Sequence, residues 1–527
     1  MINKTLIFGS GPSAYLVAEK LILEDSEIII AAHGSITDIP AALEKTEILN
    51  NADLIACRGA IGAFTFTFDQ NGKTLMREAA YAVIAEEGER YPNFDEYGLN
   101  HGERIIALST FKTVLTDADN QSEPFSGISA IAFLTGLGKE SDPVILEEIM
   151  DSCLRLKSAC PHIRSYILTE NLKVGGAGLE LKYRQTKEAG AIYMKFTHTH
   201  PEILPAENGC VITFTDEITG DRCRITPDMA VVDERFKPSP YAKQLARVME
   251  LETDALGFAQ SDNVHRYIVA TNRKGIVTAG PARMFQTPAD YISDSDNAAL
   301  AITSLKIRMK SPLPDDSALI NNRCTQCLTC LRVCPFHAIQ IQAGGKLNVA
   351  PQACECCGLC TAECPEHAIT LKGCSAAEIT AQIRSDVPLE EDVFTPHLVA
   401  FCCERSAKQA AEMALAMNMP SLPSGLRIVA VPCAGIIGLE YILSAFQSQA
   451  DGVLVLTCHQ GNCHSGCGNI SAHDKVSQAS AFLETVGFEK ERLKVKTLAA
   501  NMGHDFATIV NDFEKQISNL GPSGLKR

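Results

Sequence analysis

The stretch LTCHQGNCHSGCGN, residues 456–469, sets Cys458, Cys463 and Cys467 beside His459 and His464. Three chemistries suit those residue types: a tetrahedral zinc site, an iron–sulfur cluster, or a nucleophilic thiol with a nearby imidazole. Upstream, two segments 30 residues apart repeat each other, CTQCLTCLRVCPFHAIQI from Cys324 and CECCGLCTAECPEHAITL from Cys354. Both read C-x2-C-x2-C-x3-C-P, followed by x-H-A-I. Three closely spaced thiolates can wrap one [4Fe–4S] cluster while the fourth, before proline, turns to the neighbouring cluster. That rule assigns Cys324, Cys327, Cys330 and Cys364 to one cluster, and Cys354, Cys357, Cys360 and Cys334 to the other. Two zinc ribbons would use paired C-x2-C knuckles and leave the third cysteine and the proline of each motif without a purpose. Cys356 and Cys374 fall outside the pattern and read as buried or outer-lying cysteines.

Sixteen of the 21 cysteines lie between Cys324 and Cys467. In a reducing compartment so dense a block, with an odd total, is metal-binding rather than disulfide-bonded. The net charge of −16 opposes phosphate backbones and anionic headgroups, which argues against a nucleic-acid partner. The chain contains no uncharged apolar run of about 18 residues and opens without the features of a secretory signal, so a cytoplasmic protein without membrane insertion is expected. At 527 residues it should divide into about three to four domains.

The elements that position these groups follow from hydrophobic periodicity. Residues 4–32 read as strand, glycine turn (GSGPSA), helix and strand, the opening of a dinucleotide-binding unit. Gly9 permits the tight turn, Gly11 admits a pyrophosphate against the backbone, Ala14 allows close helix packing, and the helix amino terminus faces the anion. Segment 47–68 ends in alternation, with Phe64, Phe66 and Phe68 on one face of an added antiparallel sheet. ISAIAFLTGLGKE at 128–140, a helix around 143–157 and IRSYILT at 163–169 repeat the plan. RKGIVTAGPARM at 273–284 reads as a strand returning to the first sheet, followed by a helix from about Ser295 to Lys306. Residues 311–323 and 385–397 are breaks. Beyond the second, apolar strands ending in Cys403, Cys433 and Cys458 alternate with helices at 405–418, 437–448, 474–486 and 504–519.

In this order the chain resembles the heterodisulfide reductase A subunit and the related B-type subunit of the quinone-interacting membrane-bound oxidoreductase. The matching pieces are GSGPSA, EILNNADLIACRGAIGAFTFTF, ERIIALST and KGIVTAGPARMFQTPADYISDS. Its cysteine block is similar to the bacterial two-cluster ferredoxin. The resemblance implies a two-dinucleotide-domain flavoprotein fold with FAD in the first unit, held by Gly9, Gly11, Ala14, Gly280 and Asp290. The second strand, however, ends in Ala32 and His33 where an acid would hold the ribose hydroxyls. The family's extra cysteine motif near the flavin domain has no equivalent, and Cys57, Cys153, Cys160, Cys210 and Cys223 read as core residues. The segment 395–522 resembles the delta subunit of methyl-viologen-reducing hydrogenase through FCCERSA, VPCAG and LTCHQGNCH, which implies a [2Fe–2S] cluster. Its thiols follow separate strands and would meet at the carboxyl edge of a parallel sheet, with Cys403, Cys433, Cys458 and Cys463 as the set. Cys402 competes with Cys403, although neighbours on a strand face opposite ways.

The expected class is therefore multidomain α/β: an FAD-binding unit at 1–125 and 265–310, a second dinucleotide-like unit at 126–264, a 2[4Fe–4S] module at 311–380 and a [2Fe–2S] domain at 395–522. No residue is assigned a catalytic role. The function implied is electron transfer between FAD, two [4Fe–4S] clusters and one [2Fe–2S] cluster. The implied partners are redox subunits: heterodisulfide reductase-like, hydrogenase or formate dehydrogenase, or a membrane quinone module. Two rivals stand beside it. One is a stand-alone NAD(P)H-dependent oxidoreductase, whose second nucleotide site would be TGLGKE at 135–140. The other is a non-catalytic cluster scaffold on a relic flavin fold.

Overall fold

The computed structural model describes residues 3–524 of the chain except 37–38, 119–124, 139, 177, 197–199, 208, 260–266, 285, 311–315, 343, 384–393 and 418–420. Residues 311–315 of the first expected break and 385–393 of the second lie outside the described residues.

Strand Lys4–Phe8 is central in a five-stranded parallel sheet, flanked by Glu27–Ala31 and Tyr81–Ile84, with Glu47–Leu49 and Ile276–Thr278 at the edges. Such a sheet is covered on both faces, which is why its strands read as unbroken apolar runs. Helices Pro12–Leu23 and Pro288–Lys310 pack together beside it; the latter is longer than the Ser295–Lys306 expected. An antiparallel sheet of Ala52–Arg58, Phe64–Gln70 and Lys73–Ala79 adds the other layer. Phe64, Phe66 and Phe68 are fully buried, while Thr65 and Thr67 between them are half-exposed. Each of those rings contributes about 1.5–3 kcal/mol by leaving water.

The second parallel sheet contains Ile105–Ala107, Ala130–Leu134, Arg164–Thr169, Ile192–Lys195 and Met229–Val232. The antiparallel pair Gly88–Pro92 with Glu234–Pro238 carries the chain out of one unit and back. Two boundaries differ from the expected division. Strand Ile105–Ala107 and helix Leu108–Ala118 belong to the second unit, whose core holds Ile106, Leu108, Phe111 and Leu115, and not to a first unit ending at 125. Helix Pro240–Val248 belongs to the first: Tyr241 and Leu245 enter its core, and the Tyr241 hydroxyl donates to the Ala52 carbonyl at 2.9 Å. A local apolar pattern identifies an element but not the sheet that receives it.

The cysteine block forms two short hairpin-like pairs, Leu319–Ile320 with Ile369–Thr370 and Ile339–Ile341 with Leu347–Val349, around the short helices Thr329–Val333 and Leu359–Ala362. The terminal domain is a four-stranded parallel sheet ordered Leu426–Val431, Leu398–Cys403, Gly452–Thr457, Leu493–Thr497, the last an edge strand that the periodicity alone did not single out. Helices Leu439–Gln447 and Gly468–Thr485 cover one face, Ala407–Ala416 and Gly503–Leu520 the other. Among the described residues no helix is long and apolar enough to cross a membrane.

Candidate functional site

The 30-residue repeat is visible in the backbone. Gln326 and Cys356, Leu328 and Gly358, and His337 and His367 pair off with φ of 59 and 53, 63 and 77, and 49 and 48 degrees. Left-handed residues at matched places turn the chain around each thiol group. They also explain Cys356, which occupies the turn position of Gln326 rather than a ligand position. After each fourth cysteine the Ala amide returns to the sulfur: Ala338 N to Cys334 Sγ at 3.4 Å, Ala368 N to Cys364 Sγ at 3.2 Å. This gives the x-H-A-I tail a purpose, since an N–H aimed at sulfur stabilises thiolate charge and raises a cluster's potential.

The thiols group across the repeats. Burial raises the Cys330 thiol's pKa, and its charge neighbours are Cys324, Cys364 and Cys327. Burial likewise raises Cys360, whose neighbours are Cys357, Cys334, Cys354 and then Cys330. Cys327 is exposed, whereas Cys334 and Cys354 pack against the core of the amino-terminal unit. The first-motif group therefore faces outward and the second lies at the junction of three domains. Lys274 to Glu355 at 2.9 Å ties the module to the amino-terminal unit, and Lys475 to Glu363 at 2.8 Å ties it to the terminal domain. Gly358 lets Ile436 lie in the space a Cβ would occupy, 2.4 Å from the Ile436 Cδ1.

In the terminal domain Cys433, Cys458 and Cys463 form a buried cluster with Cys357 of the ferredoxin-like module against it. The Cys458 thiol hydrogen-bonds those of Cys403 and Cys463, and Cys433 bonds Cys463. Those bonds hold Cys403 and Cys463 below the usual thiol range, and Cys458 and Cys433, as the donors, above it. Four buried sulfurs joined by thiol–thiol hydrogen bonds, with backbone amides such as those of Arg405 and Asn469 also directed at them, form a donor set suited to an iron–sulfur core. Cys403 faces this cluster, while Cys402 faces the opposite core and donates weakly to the Ala400 carbonyl at 3.6 Å. Gly468 closes the site: a Cβ there would lie 2.3 Å from Cys433 Sγ. Cys467 is exposed, and the His459 ring meets Met502 Sδ at 3.4 Å rather than a thiol.

The glycine turn has the expected backbone. Gly9 has φ of 134°, a Cβ on it would lie 2.3 Å from the Ala85 carbonyl oxygen, and Ala14 is fully buried. Gly280, at φ of 62°, comes against the Ser13 side chain. Its N–H bonds Asp294, a buried carboxylate that also takes Arg283 and Gln286 and that no local sequence signal marked. Asp290 points elsewhere: it is exposed in the first turn of helix Pro288–Lys310 and accepts from the Thr287 N–H just before that helix at 3.0 Å.

The space above the turn is taken. A Cβ on Gly11 would fall 2.0 Å from Glu87 Oε1; burial raises the pKa of that carboxylate, and the nearby Ser13 backbone offsets part of the rise. Glu86 stands beside it, its pKa pushed up to about 7 by burial and by Glu87. At the missing ribose acid, His33 pairs with Asp53 and stacks on Tyr241 with centroids 4.8 Å apart. A diphosphate entering here meets the Glu87 carboxyl group in the space it needs, with Glu86 beside it, so these residues do not fit a pyrophosphate.

The family described as methyl-viologen-reducing hydrogenase, delta subunit, matches residues 398–521, and the 4Fe-4S binding domain matches 319–340. The A subunit of the Ferredoxin/F(420)H(2)-dependent CoB-CoM heterodisulfide reductase of Methanosarcina acetivorans is 25% identical over 492 residues, covering 89% of this chain and 60% of that protein. The chain thus spans about 60% of the length of the curated full-length relatives it matches. The iron-sulfur D subunit of the F(420)-non-reducing hydrogenase vhc of Methanococcus voltae is 37% identical over 131 residues, covering 25% of this chain and 90% of that one. Among solved structures, the thioredoxin reductase of T. acidophilum aligns with 58% of this chain and 99% of its own at 13% identity and a TM-score of 0.37.

Proposed function

Given that residues 398–521 belong to the hydrogenase delta-subunit family and that the chain is homologous to the heterodisulfide reductase A subunit over most of its length, we propose an electron-transfer component of a multi-subunit redox complex. The observation that carries this reading is a continuous line of thiols. Cys330 neighbours Cys360, and Cys357 packs on Cys433, Cys458 and Cys463. Bound there, two [4Fe–4S] clusters and one [2Fe–2S] cluster would supply one-electron chemistry with no bond made to a substrate.

The chain's own residues do the rest. Cys324, Cys327, Cys330 and Cys364 hold one end, where Cys327 is exposed. Cys354, Cys357, Cys360 and Cys334 hold the middle, and Cys403, Cys433, Cys458 and Cys463 the far end. The amides of Ala338 and Ala368 tune the sulfurs they face, and the apolar packing of Leu359 and Ile436 keeps water from the joint between module and terminal domain. The partners proposed are redox subunits of the kinds that the relatives' names describe, heterodisulfide reductase and hydrogenase, with a formate dehydrogenase or a quinone module as further members of the class. No step is routed through FAD or NAD(P)H. In the second unit the Gly136 N–H already donates to Asp233 at 2.9 Å, which counts against the NAD(P)H-dependent enzyme.

The test is anaerobic purification with iron and sulfide counting and EPR after dithionite. About ten irons with signals of both cluster types support the reading. Colourless, EPR-silent protein, or zinc in place of iron, overturns it.

A further inference from the structure

We infer that the amino-terminal glycine turn is closed to dinucleotides by the chain's own Glu87, whose carboxylate occupies the place of a pyrophosphate, leaving this half of the molecule a flavin-free platform for the clusters. The closure of the turn does not depend on the cluster assignment; the platform role rests on it.

A dinucleotide site of this architecture works because the turn's amides and the helix amino terminus offer unsatisfied positive dipoles to a diphosphate. Here the Glu87 carboxylate stands at the start of that helix and reaches to within 2.0 Å of where a Gly11 Cβ would stand. Gly11 is the residue whose missing side chain opens that space. Glu87 Oε1, Glu86 Oε2 and Ser13 Oγ are buried there without hydrogen-bond partners. The two acids follow directly on strand Tyr81–Ile84, which neighbours strand Lys4–Phe8, so both arrive at the sheet edge from which the glycine turn departs.

The second unit has reached the same arrangement independently. The Gly136 N–H donates to buried Asp233 at 2.9 Å, a Cβ on Gly138 would sit 2.7 Å from Glu96 Oε1, and the Val144 N–H at the following helix start donates to Asp142 at 2.9 Å. Asp233 is held further by Asn93 and Tyr97. Two glycine turns, each with an internal carboxylate set against it, retain the fold of a nucleotide domain without its ligand. What the first unit still supplies is surface. Its Lys274 pairs with Glu355, and its core takes Ala338 and Ala353 beside the second-motif cysteines.

The test uses full-length protein purified anaerobically with its iron. Flavin released by acid is quantified, and added FAD is titrated by quenching of its fluorescence against wild type, Glu87→Gly and the pair Glu86→Thr with Glu87→Gly. The wild type is expected to release less than about 0.1 FAD per chain, and Glu87→Gly to bind FAD at least about tenfold tighter, as removal of a like charge from the anion's place requires. Iron content shows that each variant has folded and keeps this result separate from the cluster reading. About one FAD per wild-type chain overturns the inference. So does a Glu87→Gly variant that retains its iron yet binds FAD no better than wild type.

Discussion

Replacing Gly468 by alanine should remove one cluster and spare the other two. A Cβ at this position would lie 2.3 Å from Cys433 Sγ and 3.6 Å from Cys463 Sγ. Non-bonded heavy atoms settle at about 3.5–4.0 Å, so the Cys433 sulfur must retreat by more than about 1 Å. Metal–ligand distances tolerate only about 0.2 Å, and a thiolate so displaced no longer reaches a core defined by the other three. The fold survives: overpacking costs about 1–3 kcal/mol, while alanine in place of glycine in the helix beginning at Gly468 returns up to about 1 kcal/mol. Iron should fall from about ten to about eight per chain, with the reduced [2Fe–2S] EPR signal lost and the [4Fe–4S] signals retained. Gly438→Ala is the control, because Gly438 has φ of −108° and nothing within 4 Å of the added carbon. Full iron content and an unchanged spectrum in Gly468→Ala would refute the assignment of Cys433 and Cys463 to a common site.

Three further outcomes are expected. Cys403→Ser should abolish the same EPR signal, whereas Cys402→Ser should keep it and lower the denaturation midpoint, since a hydroxyl in the opposite apolar core costs about 1–3 kcal/mol. The raised Glu86 pKa, about 7 against an ordinary 4.5, means that the folded state holds a proton that the unfolded state has released, so stability declines as pH rises between those values. Glu86→Gln should therefore match wild type near pH 4 and exceed it by up to about 3 kcal/mol at pH 8, read from anaerobic thermal midpoints. Arg492 is buried and donates to the carbonyls of Asp451 and Gly521 at 3.0 Å each, so Arg492→Met should destabilise the terminal domain by about 3 kcal/mol, seen as earlier unfolding with unchanged EPR at low temperature.

The grouping of the thiols in the candidate site was legible in the residues because it follows from a local spacing. The spacing of Cys324 to Cys334, repeated from Cys354, reappears as matched left-handed residues and matched N–H to sulfur contacts, and Cys360 groups with Cys334 across the repeat. Three of the four terminal strands, each ending in or soon followed by a cysteine, follow from apolar runs that a parallel sheet buries on both faces. The alternation of Phe64, Phe66 and Phe68 was equally plain. These are properties of chain segments a few residues long, set by φ and ψ and by strand or helix period.

Only the folded chain decided the rest. Period two says that Cys402 and Cys403 face opposite ways but not which way each faces; the packing of Cys402 against helices Ala407–Ala416 and Gly503–Leu520 settles that. A glycine turn announces room for a diphosphate, yet Glu87, 76 residues beyond Gly11, arrives on a neighbouring strand and fills it. Asp294 rather than Asp290 meets Gly280 because the helix between them turns one carboxylate inward and leaves the other exposed in its first turn. Local sequence encodes which elements form and which atoms can ligate. Which groups meet is decided by burial, where distant segments compete for one space and the closest-packed arrangement prevails.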